Sequence, residues 1–366
     1  MRQGFWGQPA IALACMCEGV SLSALGDKMD SREDRARRMI NASICAYQIY
    51  APTVIPTPDK PELRRVTLAN GSFYQVVPSY QDAVGFISSP EGYAPSFVTS
   101  GDDAIDAALV GITQDGYAVV AIRGTLPPSF ANNDIKEWLT DWVGDADMHK
   151  VDFAIGGRDY GQVEHGFYKA VSSLWPFVQA ELKAVLPKAA KGVLVTGHSK
   201  GGAATYLMAA MILAEWPDLA GQIEVHAFAP AVSVDAGFVA QYDAQQLAAR
   251  TYRYQKAHDI VPFIPLWSGV NVWSAIHDAS TSHKLAWSLL EATTYVMTLG
   301  GYAAPGKFVY YDNDGAHVSG AEVTTSALPD VAASVAKGDY KSVGAAHGAI
   351  DSYLPCFAVP ESESIA

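Results

Sequence analysis

Ten residues constrain this chain more than any others: Val193-Leu-Val-Thr-Gly197-His-Ser199-Lys-Gly201-Gly202. The run before Gly197 is apolar and β-branched. The run after Gly202 (Ala203-Ala-Thr-Tyr-Leu-Met208) is helix-forming. A chain that passes from strand into helix within one turn leaves no room for Cβ atoms beside the turn. Glycines there let the two elements approach, and the central serine takes a strained backbone conformation. Its hydroxyl then stands above the strand end, and the next N–H points at any oxyanion formed there.

The other segments fit the same architecture. Residues 107–113 and 117–122 read as strands around a Gln114-Asp115-Gly116 turn. Residues 193–196, 223–228 and 251–255 read as further strands, and 30–50, 167–190, 200–214 and 283–299 as helices. Residues 51–63 carry four prolines and read as an irregular connector. Strands alternating with helices predict an α/β fold with a central, mainly parallel β-sheet flanked by helices.

Composition narrows the function. With 25 Lys plus Arg against 38 Asp plus Glu, the net charge of −13 lacks the footprint of a nucleic-acid binder. Nothing is apolar enough for a transmembrane segment. Residues 10–17 are apolar but short, sit between Pro9 and Glu18 with only Arg2 ahead, and make a weak signal-peptide pattern. Cys15 and Cys17 lack the distant pair a zinc site requires.

A nucleophilic serine needs a base, and the base an orienting acid. In the α/β-hydrolase chain order both follow the serine. His226 and His258 precede or adjoin the acid candidate Asp259, so His277, His283, His317 and His347 stand as candidate bases, and residue chemistry alone does not choose among them. For the acid, Asp259 falls at the end of the strand-like run 251–255, where active sites of open α/β sheets gather; Asp235 is its competitor.

Taken together, these blocks resemble the class 3 (fungal-type) triacylglycerol lipases. Asn41-Ala-Ser-Ile-Cys45 is similar to the family's N-terminal helix, and Val119-Val-Ala-Ile-Arg123-Gly124-Thr125 to its strand ending in Arg-Gly-Ser/Thr. Ile135-Lys-Glu-Trp138-Leu-Thr-Asp141 looks like its Trp-x-x-Asp, and Val163-Glu-His165-Gly166-Phe167 like its Val-His-x-Gly-Phe, with the histidine moved next to the glycine. The elbow and His258-Asp259-Ile-Val-Pro262 follow in family order, then the aromatic strand within 301–311.

The resemblance implies an α/β-hydrolase fold with a helical lid, and a serine hydrolase that cleaves acyl esters through an acyl-enzyme, without metal or cofactor. Ser199 would be the nucleophile, Asp259 the acid and His347 the base, with His317 second, and backbone N–H groups of Thr125 and Lys200 would form the oxyanion hole. The long separation of Asp259 from His347 implies an insertion around 268–298. Lys200 stands where the family has Leu, so its ammonium must find polar surroundings or an acid. The lid would lie within 126–142, where Ile135, Trp138, Leu139 and Trp142 share a helical face and Leu126 and Phe130 add apolar surface. Opened, it would touch a lipid interface transiently. Phospholipase A1, a feruloyl-type esterase and a non-catalytic lipase-like binding protein are the alternatives. A disulfide between Cys45 and Cys356 would match the family's end-to-end staple and favour a secreted or periplasmic protein over a cytoplasmic one. The expected organisation is an N-terminal extension over 1–38, one domain over 39–358 and a flexible acidic tail over 359–366.

Overall fold

The structure, a computed structural model, describes residues 31–53, 64–87, 95–125, 149–259, 261–263, 301–318 and 344–357. Helix α1 (Arg32–Tyr47) starts at Ser31, whose hydroxyl accepts the Asp34 N–H at 3.1 Å, and Glu33 and Asp34 fill its positive first turn. Strands β1 (Ile49–Tyr50), β2 (Arg64–Thr67) and β3 (Phe73–Val76) pair in a small sheet before helix α2 (Pro78–Val84). Next come β4 (Ser96–Ser100), β5 (Asp106–Ile112), β6 (Tyr117–Ile122), β7 (Lys150–Ile155), β8 (Arg158–Glu164) and helix α3 (His165–Val185). Strand β9 (Gly192–His198) runs directly into helix α4 (Lys200–Glu215). After these follow β10 (Ile223–Phe228), β11 (Val234–Asp235), α5 (Ala236–Ala244), β12 (Thr251–Lys256), β13 (Tyr302–Ala303), β14 (Lys307–Tyr311), β15 (His317–Val318) and a single turn at Ala349–Tyr353.

Among the described residues the main sheet has eight strands in the order β15-β14-β12-β10-β9-β6-β5-β4. Strands β6, β9, β10, β12 and β14 are mutually parallel, and β4, β5 and β15 complete the edges antiparallel. A second sheet, β13-β11-β8-β7, is antiparallel. The main sheet is buried on both faces, and the alternation of its strands divides the core. Val193 and Val195 face a cluster with α3 and α4, while Leu194 faces one with α1. Ala118, Val120 and Ile122 of β6 join the first cluster, and Val119 and Ala121 the second. Gly116 turns the β5–β6 hairpin at φ 97°, as its Gln-Asp-Gly sequence predicts.

Helix α1 lies within the helix expected over 30–50, and its residues 32–38, which the expected organisation assigns to the N-terminal extension, make contacts with the sheet side of the fold: Arg38 grips Asp115 at 2.7 and 3.0 Å, and Arg35 grips Glu224 at 2.7 and 3.1 Å. Cys45 and Cys356 do not form a disulfide; both are free. Although α1 packs on the turn that holds Cys356, each thiol faces its own partner. Cys45 is buried against Tyr74, and Cys356 donates to the Ser352 carbonyl at 3.4 Å. Burial pushes the Cys45 thiol up to about 12. Residues 1–30, the lid residues Leu126, Phe130, Ile135, Trp138, Leu139 and Trp142, the insertion at 268–298, the helix expected at 283–299 and the tail 359–366 lie outside the described residues. No helix among the described residues is long and apolar enough to cross a membrane.

The Arg35 contact ties α1 to a buried titratable cluster. His226 Nε2 lies 2.8 Å from Glu224 and its Nδ1 3.0 Å from the Tyr254 hydroxyl. Burial alone would raise the Glu224 carboxyl, but His226 and Arg35 bring it down to about 2. Burial holds His226 below its ordinary 6.5, outweighing the attraction of Glu224. Both shifts act in one direction. The unfolded chain binds more protons than the folded one below pH 6.5 through His226 and below 4.5 through Glu224, so stability falls as pH falls. Urea midpoints measured from pH 8 to 3 should decline from about pH 6.5 downward. His226→Gln should flatten the part of that decline above pH 5.

Candidate active site

Ser199 takes φ 60° and ψ −127°, a conformation that L-residues rarely occupy, and caps α4. Its own N–H donates to the Phe228 carbonyl of β10 at 3.0 Å, which fixes the elbow to the next strand. The glycines around it are close-packed. A Cβ on Gly197 would overlap the Gly201 backbone, and one on Gly202 would fall 2.7 Å from the Phe228 carbonyl oxygen. A Cβ on Gly201 would overlap the Ile122 carbonyl and lie 2.9 Å from the Arg123 carbonyl carbon. These approaches press the first turn of α4 against the end of β6. Gly201, two residues after the serine, therefore lies against Ile122 and Arg123. The Lys200 N–H, at the first helical position, has no intrahelical acceptor. Thr125 Oγ1 is buried without a hydrogen-bond partner among the described residues.

Strand β12 ends in a turn where His258 takes φ 66° and Asp259 becomes fully buried. Three donors converge on its carboxylate. The Val261 N–H reaches Oδ1 at 3.0 Å, and the Tyr353 hydroxyl donates to Oδ2 at 2.6 Å. The His347 Nδ1 is 3.1 Å from both oxygens. The elbow meets this group through His198, whose ring centroid lies 4.6 Å from that of His347 and 5.5 Å from that of Tyr353. His198 is buried. Burial first, and then the neighbouring His347, hold it well below the ordinary histidine value, so its ring is neutral.

The competing residues are placed elsewhere. Asp235 accepts the Phe238 N–H at 2.7 Å and caps α5. His317 is exposed on edge strand β15 beside Tyr311. His277 and His283 lie outside the described residues. His165, whose position departs from the family pattern, opens α3 and stacks on His149 at 4.4 Å, while Glu164 accepts the Gly166 and Phe167 N–H groups.

Sequence reasoning did not single out Tyr353, His198 or Asp106. Tyr353 stands six residues after His347 in a visible aromatic position, but nothing in the sequence says that its hydroxyl reaches Asp259. Asp106 answers the question posed by Lys200: Lys200 Nζ lies 2.7 Å from Asp106 Oδ1. The Ser173 hydroxyl is 3.4 Å from the other oxygen, and Ser100 is 2.8 Å from Ser173. The ammonium is thus drawn off to the start of β5 and held by an acid.

Residues 119–269 match the lipase (class 3) family. A Rhizomucor miehei lipase in complex with its propeptide, a deletion mutant, is 15% identical, with 84% of this chain and 78% of that one covered and a TM-score of 0.52. A mutant of MDLA from Penicillium cyclopium is 18% identical over 93% and 100% of the two chains, with a TM-score of 0.49. Lipase II from Rhizopus niveus is 17% identical over 76% and 80%, with a TM-score of 0.46. No curated protein is matched by the sequence.

Removing one partner of the Lys200–Asp106 pair leaves a poorly solvated charge. Asp106→Ala should lower unfolding stability by about 1–3 kcal/mol, less than a fully buried pair would cost because Lys200 is partly exposed. Lys200→Leu in the same chain should recover most of that loss. Urea unfolding of the two variants measures both effects.

Proposed function

We propose that this chain, a class 3 lipase acting on acyl esters, hydrolyses triacylglycerols with Ser199 as nucleophile, His347 as base and Asp259 as acid. The observation that carries this reading is the His347–Asp259 contact beside the serine elbow. Asp259, held in turn by the Tyr353 hydroxyl, orients the imidazole through Nδ1. His347 Nε2 takes the Ser199 proton as the hydroxyl attacks the ester carbonyl. The oxyanion settles on the Lys200 and Thr125 N–H groups, and the buried Thr125 hydroxyl, without a partner among the described residues, offers a third donor. The ester C–O bond breaks and the imidazolium gives its proton to the departing alcohol. Water then attacks the acyl-enzyme by the same route and releases the fatty acid.

The neutral-lipid preference rests on the apolar face of Ile135, Trp138, Leu139 and Trp142, read as a lid over 126–142, and on the net charge of −13, which disfavours anionic phospholipid surfaces. One catalytic unit spans 39–358 and extends back to Arg32, so the excess length goes to an N-terminal extension and to the segment before His347. Export from the cytoplasm suits a lipid-surface substrate, and that reading now rests on the substrate alone, because the two thiols are free.

With soluble p-nitrophenyl butyrate, Ser199→Ala and His347→Ala should each lower kcat by about 10⁴ or more. His317→Ala should stay within about twofold. Equal activity of wild type and Ser199→Ala would overturn the reading. Against tributyrin the rate should rise sharply above the solubility limit. A hyperbolic profile with no rise would favour a soluble-ester esterase instead.

A further inference from the structure

The elbow and the oxyanion turn share a contact with a residue that the family match does not include. Tyr47 closes helix α1, and its hydroxyl lies 3.0 Å from His198 Nδ1 and 3.4 Å from the His198 carbonyl oxygen. The same hydroxyl lies against Gly124. A Cβ there would overlap it, would come within 2.8 Å of the Tyr47 Cζ, and would fall 2.6 Å from the His198 carbonyl. Tyr47 therefore fills the space between the turn that ends β6 and the residue before the nucleophile. A second tie from the same region reinforces it. Buried Arg123 donates to the Ile49 carbonyl, and also to the carbonyls of Ala104 and Ile105 at 2.8 and 2.7 Å.

We infer that Tyr47 is a positioning residue for the oxyanion hole: its hydroxyl sets the spacing between the Gly124-Thr125 turn and the His198-Ser199 elbow, and so makes helix α1 part of the active site. The inference rests on the serine-hydrolase reading above. The two N–H donors come from separate elements, the Thr125 turn and the first residue of α4. Donors act on an oxyanion only when both lie near 2.7–3.1 Å from it, so a shift of one element against the other disables the pair. The hydroxyl bonds the elbow side and packs against the turn side, which a phenyl ring alone cannot reproduce.

Tyr47→Phe keeps the ring and removes only this hydroxyl. With p-nitrophenyl butyrate, kcat should fall at least about tenfold while KM stays within about twofold. The inhibition constant of an alkylboronic acid, whose tetrahedral adduct on Ser199 carries the oxyanion, should weaken by a similar factor. Tyr50→Phe, which removes a neighbouring hydroxyl bonded to Gln48, should leave kcat, KM and boronate inhibition unchanged. Gly124→Ala intrudes on the same contact from the turn side and should also lower kcat at similar KM, which provides a second reading if Tyr47→Phe folds poorly. Wild-type kcat and boronate affinity in either Tyr47→Phe or Gly124→Ala would overturn the inference. Failure of the serine reading looks different: wild type and Ser199→Ala would then hydrolyse the ester, or bind the boronate, equally well.

Discussion

The packing of the first turn of α4 against the ends of β6, β9 and β10 is the constraint on which the site depends. Gly197, Gly201 and Gly202 each lie where a Cβ would meet backbone, so the junction closes only with glycine at all three positions. That closeness forces Ser199 to φ 60° and brings Gly201 against the end of β6. The strain in the serine is offset by what surrounds it. The Ser199 N–H is tied to β10, and the parallel strands beneath are buried on both faces. Backbone N–H groups held in this way need no rearrangement as charge develops on a bound oxygen, which is why a rigid junction suits acyl transfer.

A second constraint holds His347 in place. Asp259 is removed from solvent and receives donors from Val261, Tyr353 and His347. Each comes from a different stretch: the strand end, the late turn and the segment just before it. The acid thus acts as a clasp that holds the C-terminal part of the chain to β12. Neutral His198 packs between this clasp and the elbow, so the imidazole of His347 shares its neighbourhood with an uncharged ring.

Much of this was legible in the sequence because it is local. The β-run, the glycines and the helix formers around Ser199 lie within about sixteen residues, and their backbone demands name a strand–turn–helix without further context. The two-residue alternation of β6 and β9 likewise follows from the pleat. What was not legible depends on distant residues meeting. Asp106 opens a strand far ahead of Lys200, and only the folded sheet shows that the two pair. Cys45 and Cys356 are the reverse case: the two segments that hold them do come together, but packing places one thiol against Tyr74 and the other against the Ser352 carbonyl. The N-terminal helix was legible over 30–50, but the partners of its charges were not: Arg35 and Arg38 find Glu224 and Asp115 only in the folded chain.

Covalent labelling tests the central claim most directly. An alkyl fluorophosphonate reacts with a serine hydroxyl only where a base activates it and oxyanion donors receive the phosphoryl oxygen. After incubation to full inactivation, peptide mass spectrometry should find one adduct per chain, on Ser199, and labelling should be lost or slowed by orders of magnitude in His347→Ala. No adduct, or inactivation with the adduct on another serine, would contradict the account.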